Sequence, residues 1–217
     1  MLAILIRIVV AYLLGSLMGG LIVGRLRGGV DIRTQGSGNA GGTNALRTQG
    51  KGFAFWVMLI DVGKGLVAAG VVPWFPIPFL HATQAGIGLG WIAALCGMAV
   101  IVGHVWPVFF SFRGGKGMAT YVGVLVVLAP LAFVIALAVW LLVLVLSGFV
   151  GLATLLAVWV APVYLLVTAS GFGTGTFWFA LLTALFILYT HRGNIARMRA
   201  GTENRFTRVM LLRRGHG

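Results

Sequence analysis

The chain has 217 residues, of which 60% are hydrophobic and 9% charged, with a mean hydropathy of +1.05. A soluble domain carries about 25% charged residues, so these proportions exclude one and imply an integral membrane protein. The net charge of +13 does not imply nucleic acid, because the charges sit in short segments between apolar runs, where positive-inside sorting and anionic lipids or substrates account for them.

A membrane helix needs about 20 apolar residues, and residues 2–23 supply the first candidate, interrupted only by Arg7. That stretch lacks a basic n-region and an A-x-A cleavage site, so it reads as a span and not a leader. Arg25 and Arg27 follow and mark its cytoplasmic end. Residues 33–52, RTQGSGNAGGTNALRTQGKG, form the longest polar segment of the chain. Glycines let backbone N–H groups converge on an anion, and Arg or Lys adds the opposing charge, so the segment reads as a phosphate- or carboxylate-binding loop. A plain connecting loop needs the glycines but not Ser37, Asn39, Thr43, Asn44, Arg47 and Lys51 between and after them. Gly36, Gly38 and Gly41 match the dinucleotide fingerprint, but membrane-length apolar flanks replace the strand and helix that fingerprint requires.

Residues 53–72 form the second span. Asp61 and Lys64 lie within it at i, i+3, on one helix face. A charge inside a membrane is a functional-site candidate, and a self-neutralising pair that fixes helix packing is an equal alternative. Residues 73–83, with three prolines and interfacial Trp74 and Phe75, read as an outer connection. Residues 86–110 form the third span. It holds Cys96, which reads as packing, and His104, which reads as a structural hydrogen-bonding group. A lone cysteine offers neither a disulfide framework nor a Cys-rich metal site.

A second basic glycine segment, SFRGGKG, covers residues 111–117. Residues 118–146 would be about 44 Å long as one helix, too long for a core of about 30 Å, and Pro130 interrupts them. Read as two spans turning near Pro130, they place all three basic segments on one face, as the positive-inside rule favours. Residues 118–129 are then too short to cross alone and must be shielded by protein. Residues 149–169 and 176–189 complete seven spans, with the N-terminus outside and the C-terminus inside. Of the 16 Lys and Arg, only Arg7 and Lys64 fall outside the inner segments. The fold class is therefore all-α, a polytopic membrane protein with seven transmembrane helices and polar cytoplasmic-face loops, residues 1–217 making a single domain.

The third basic segment, residues 190–217, begins THRGNIARMRAGTENRF. His191 with Asn194 one turn on reads as a ligand pair, with His191 a donor to phosphate. Arg197, Arg199, Arg213 and Arg214 read as a solvated basic tail, and Glu203 as an ion-pair partner of Arg199 and Arg205. The H-x-x-x-x-D dyad of acyl-CoA-dependent glycerolipid acyltransferases is absent: the residues five after His81, His104 and His191 are Gly86, Phe109 and Ala196. With only Asp31, Asp61 and Glu203 as acids, no metal site and no cofactor are expected. Neither H-E-x-x-H nor a serine nucleophile elbow occurs.

Three segments, VDIRTQGSGNAGGTNALRTQGKG, GHVWPVFFSFRGGKGMAT and HRGNIARMRAGTENRF, occur in this order along nearly the whole chain. They strongly resemble the bacterial acyl-phosphate:glycerol-3-phosphate acyltransferase family. The resemblance implies transfer of a fatty acyl group from acyl phosphate to the 1-hydroxyl of glycerol 3-phosphate, the first acylation of phospholipid synthesis. It implies a phosphate-binding set of Gly36, Ser37, Gly38, Asn39, Thr43, Asn44 and Arg47, with Lys116 from the second segment and His191 and Asn194 from the third. Arg47, Lys116, His191 and Asn194 are the implied catalytic residues. Gly42 and Thr190 depart from the family's common residues, and Gly151 and Thr154 stand where members often carry serines. The implied partners are acyl phosphate, glycerol 3-phosphate, the lipid bilayer and the soluble enzyme that makes acyl phosphate, without nucleic acid. The implied location is the bacterial inner membrane, multi-pass, with the active site on the cytoplasmic face.

The physical reading agrees with the resemblance. An acyl phosphate is a mixed anhydride, already activated, so the protein must hold two anions side by side and aim a hydroxyl at the carbonyl carbon. A phosphate dianion, with a pKa of about 6, can itself take the hydroxyl proton. The alternative from another class is a transporter for phosphate compounds, which the absence of internal repeats and the placement of the polar residues in end loops disfavour.

Overall fold

The computed structural model describes residues 1–77, 87–168 and 171–211, and among them all regular structure is helical. His81, Arg213 and Arg214 lie outside the described residues, as do residues 78–83 of the 73–83 connection and the last residues of the tail.

The first apolar run is broken into α1 (Leu2–Gly15) and α2 (Gly19–Leu26), bent by 46°. The break exposes polar backbone that a membrane interior cannot solvate. Asp61 and Lys64, both buried on α4 (Lys51–Gly70), supply the missing partners. Lys64 Nζ donates to the carbonyls of Gly15 (2.9 Å) and Leu17 (2.8 Å), and the Gly19 N–H donates to Asp61 Oδ1 (3.2 Å). The two charges also pair with each other at 3.0 Å. Of the two readings open for this pair, the geometry therefore supports the one that fixes packing: it caps a broken helix.

Between these elements the polar segment is only partly a loop, because residues 42–49 form a short helix, α3 (Gly42–Gln49), packed on α4. Downstream, α5 (Leu89–Val105) precedes the second glycine segment, and α6 (Met118–Leu128) follows it. The chain leaves helical geometry at Ala129 and restarts with Pro130 at the head of α7 (Pro130–Ser147), so the proline does divide the long apolar run. The remaining helices are α8 (Val150–Ala157), α9 (Val160–Val167), α10 (Gly175–Thr190) and α11 (Arg192–Arg199). Among the described residues four helical stretches are long and apolar enough to cross a membrane, Lys51–Trp74, Leu89–Phe110, Pro130–Ser147 and Val150–Val167 (α8 with α9), or five with the bent pair α1 and α2 counted as one, and α6 and α10 are shorter apolar helices.

Close helix crossings hold the short α6 inside the bundle. Gly65 of α4 faces the Thr120 carbonyl, and Gly123 of α6 faces the Val62 carbonyl, each so near that a Cβ would lie within 2.2 Å and 2.1 Å of the opposing oxygen. Small residues let backbones approach where no hydrophobic force drives helices together in lipid. Around this crossing Tyr121, Val124 and Leu125 are buried in the main core with residues of α4, α5, α9 and α10. By contrast α7 turns Leu131, Val134, Leu141 and Leu142 outward, as a lipid-facing helix does.

Candidate active site

The three polar segments meet at one end of the bundle. Arg33 pairs with Asp31 through its Nε and Nη2, and its Nη1 donates to the Arg113 carbonyl at 3.0 Å, so the first segment is tied to the second. That guanidinium holds the Asp31 carboxyl below its ordinary pKa. Thr190 Oγ1 donates to the Lys116 carbonyl at 3.0 Å, tying the third segment to the second. Arg47 lies over the Phe206 ring at 4.9 Å, joining the first to the third.

Together they enclose a cavity of about 310 Å³. Ser37, Asn39, Thr43, Asn44, Arg47, Lys116, His191 and Asn194 all line it. Gly36 and Gly38 do not. Their φ values of 56° and 71° bend the loop, and Gly36 sits against Asn44 Oδ1, where a side chain would collide. Asn44 borders the cavity but spends its amide on that loop. Its Oδ1 accepts from the Ser37 N–H (2.9 Å), and its Nδ2 donates to the carbonyls of Ile32 (2.8 Å) and Gln35 (3.0 Å).

On the opposite side Lys116, Asn194, Glu203 and Arg197 form a chain. Lys116 Nζ donates to Asn194 Oδ1, Asn194 Nδ2 donates to Glu203 Oε1 at 2.6 Å, and Arg197 Nε donates to Glu203 Oε2 at 2.6 Å. The two partners of Asn194 dictate its amide orientation, since an ammonium needs the oxygen and a carboxylate needs the nitrogen. Burial, reinforced by Arg197 and Arg47, pushes the Lys116 pKa down to about 8, against the pull of Glu203. It stays largely protonated at neutral pH.

His191 is buried at the end of α10, and its Nδ1 lies 2.9 Å from the Ile187 carbonyl. A carbonyl only accepts, so Nδ1 carries the proton and Nε2 is left as an acceptor. Burial, with Lys116 nearby, pushes the pKa down to about 4. This corrects the expectation that His191 donates to phosphate: at neutral pH the ring is uncharged, and its free nitrogen can take a hydroxyl proton into a hydrogen bond but gives none.

Two further expectations change. Arg197 is no solvated tail residue but part of the cavity wall, and Glu203 pairs with it and not with Arg199 or Arg205. Arg205 instead stacks on Phe149 at 4.4 Å. The α11 turn explains the exchange, because it brings Arg197 one turn beyond Asn194 onto the same helix face. The cavity also reaches residues that no polar pattern marks. From α7, Phe133, Ala136, Leu137 and Trp140 line it at helical spacing, facing Tyr121, Val122 and Leu125 of α6. Thr154 closes the wall and accepts from Trp140 Nε1 at 3.3 Å, while Gly151 packs against Asn194. Because α7 is apolar on every face, its sequence does not show which face meets a ligand. The site therefore has a cationic, donor-rich end and an apolar trench leading from it.

A profile of the family described as glycerol-3-phosphate acyltransferase matches residues 5–201. A glycerol-3-phosphate acyltransferase of Chlorobium limicola is 39% identical over 235 residues, covering 95% of this chain and 98% of its own. One of Bordetella pertussis (strain Tohama I) is 41% identical over 207 residues, covering 91% and 89%. Among solved structures, the crystal structure of an integral membrane glycerol 3-phosphate acyltransferase in its glycerol 3-phosphate form aligns with a TM-score of 0.80 at 35% identity, covering 94% of this chain and 95% of that one. The lysophosphatidic acid form of that enzyme aligns with a TM-score of 0.79.

Proposed function

The chain belongs to the glycerol-3-phosphate acyltransferase family, and from that premise we propose that it moves a fatty acyl group from acyl phosphate to the 1-hydroxyl of sn-glycerol 3-phosphate. It is an integral, multi-pass membrane enzyme whose product is lysophosphatidic acid. The observation that carries the choice of donor is the two-sided cavity: cations and hydrogen-bond donors at one end, an apolar trench between α6 and α7 at the other. Acyl phosphate has that polarity, a small dianionic head on a long apolar tail.

The step needs little covalent help. The glycerol 1-oxygen attacks the carbonyl carbon, the carbon–oxygen bond to phosphate breaks, and inorganic phosphate leaves with the electron pair. Lys116 and Arg47 offset the repulsion between two phosphates held side by side. Ser37, Asn39 and Thr43 donate to phosphate oxygens, and His191 Nε2 accepts the attacking hydroxyl and orients it. The proton passes to a substrate phosphate. An imidazole with a pKa of about 4 is a poorer base than a phosphate dianion of about 6, so the substrate supplies the base. Among the described residues no three His, Cys, Asp or Glu side chains are grouped to hold a metal.

Purified protein incubated with acyl phosphate and glycerol 3-phosphate is therefore expected to release lysophosphatidic acid and phosphate, undiminished in EDTA, and to make none from acyl-CoA. Comparable turnover with acyl-CoA, or loss of activity in EDTA, would overturn this assignment.

The seven-span topology belongs to the same proposal. Counting α1 with α2, α4, α5, α6, α7, α8 with α9, and α10 as one crossing each makes an odd number. The polar segments then share the cytoplasmic face, as their basic residues require. In a Cys96→Ala background, cysteines at exposed Leu26, Ser111 and Thr202 should resist an impermeant thiol reagent applied to intact cells and react after permeabilisation. Labelling of any of the three from outside would break the count.

A further inference from the structure

His104 lies on α5, buried, yet its ring lines the cavity. Its Nδ1 stands 3.5 Å from Asp61 Oδ1, the oxygen that also meets Lys64 and the Gly19 N–H. So the carboxylate that caps the broken first helix also backs this imidazole. The other edge of the ring meets the second glycine segment. The Gly115 N–H donates to the His104 carbonyl, and the Gly114 N–H to that of Val105, both at 3.1 Å. A Cβ on Gly115 would lie 2.2 Å from His104 Nε2, and the three atoms nearest to it all belong to that ring. Gly115 does not have a left-handed φ, so it is the close approach of the His104 ring and not backbone conformation that calls for glycine there. Lys116 is the next residue, and its ammonium reaches Asn194 across the cavity.

We propose that His104, seated on Asp61, is the positioning residue of Lys116: its imidazole is the wall that holds the Gly114–Gly115 backbone at the depth from which Lys116 reaches the substrate phosphate. A glycine pair has no side chains to fix its own path, so beyond its two backbone hydrogen bonds to the end of α5 the loop takes its shape from the ring it leans on. Asp61 lies behind the ring at 3.5 Å, and Lys64 neutralises Asp61 inside the bundle. The buried charges that cap α1 and α2 thus also set the register of the phosphate-binding lysine. The inference rests on the acyltransferase reading.

The test is a double-mutant cycle in that assay. His104→Ala should lower kcat/KM for glycerol 3-phosphate about tenfold or more, chiefly through KM, but by no more than about threefold when Lys116→Ala is already present, because both changes remove the same interaction. His104→Gln, which keeps a polar planar side chain of similar reach, should recover most of the loss. Equal fold losses in both backgrounds, or no loss in the parent, would overturn the proposal. A second route does not depend on the stability of the His104 variants. Gly115→Ala should impair the enzyme about tenfold or more, and adding His104→Ala should restore activity above that of Gly115→Ala alone. A harmless Gly115→Ala, or a double variant worse than either single one, would count against it. An inactive parent protein would instead remove the acyltransferase reading, so the two failures are distinguishable.

Discussion

Lys116→Ala is expected to lower kcat/KM for glycerol 3-phosphate by about 30- to 1000-fold, or ~2–4 kcal/mol, the range for removing a charge-assisted hydrogen bond from a sheltered site. Its ammonium is half-buried in the cavity wall, with Thr190 bonded to its own carbonyl behind and Asn194 in front. Without it Asn194 loses the partner that orients its amide, and Glu203 faces incoming phosphate with one fewer neutralising charge. Arg47→Ala should act in the same direction but less strongly, since Arg47 is more exposed and rests on Phe206. Exposed Arg25, away from the cavity, should tolerate alanine with almost no change. The pH profile carries an independent signature. Lys116 loses its proton as pH rises through about 8, so kcat/KM should fall above that value in the parent and lose that alkaline limb in Lys116→Met. Equal small losses at positions 25, 47 and 116 would mean that these basic residues only orient the chain in the membrane.

His191→Ala should raise KM for glycerol 3-phosphate by at least about tenfold, from the loss of a buried acceptor that orients the substrate hydroxyl. The second half of the prediction separates orientation from proton transfer. His191→Asn keeps a polar group at the end of α10 and should retain turnover within about tenfold of the parent at saturating substrate, because the proton goes to a phosphate. No inflection from His191 is expected between about pH 5 and 8, since its ring is already neutral there with a pKa of about 4. The acid limb should instead follow the second ionisation of the substrate phosphate, at about 6. If His191→Asn binds both substrates normally but abolishes the chemical step, the imidazole is the base and the substrate-assisted route fails.

Most of the polar end of the site was legible because its residues are chemically conspicuous in this chain. Where 9% of residues are charged, a run holding Ser37, Asn39, Thr43 and Arg47 among glycines stands out without any knowledge of the fold. Lys116, His191 and Asn194 stood out for the same reason, and the structure brings all of them to one cavity. Pro130 marked a division of the long apolar run because a ring in place of an N–H is a local property of the chain. Local chemistry also misled. Arg197 looked like one more tail charge, and only the α11 turn with Glu203 nine residues from Asn194 draws it into the wall.

What the sequence determined by itself was the solvent, the helical class and the inventory of anion-binding groups, since each follows from composition, period and residue type along the chain. The tertiary structure decided what depends on proximity between distant residues. It made Asp61 and Lys64 the cap of a break in a helix about 45 residues earlier, which no spacing along one helix can show. It turned one face of α7 toward the site, although every face of that helix is apolar and so indistinguishable by pattern. It also assigned the proton of His191. The residue type permits either ring nitrogen to carry it, and the carbonyl of Ile187 beside Nδ1 leaves one choice.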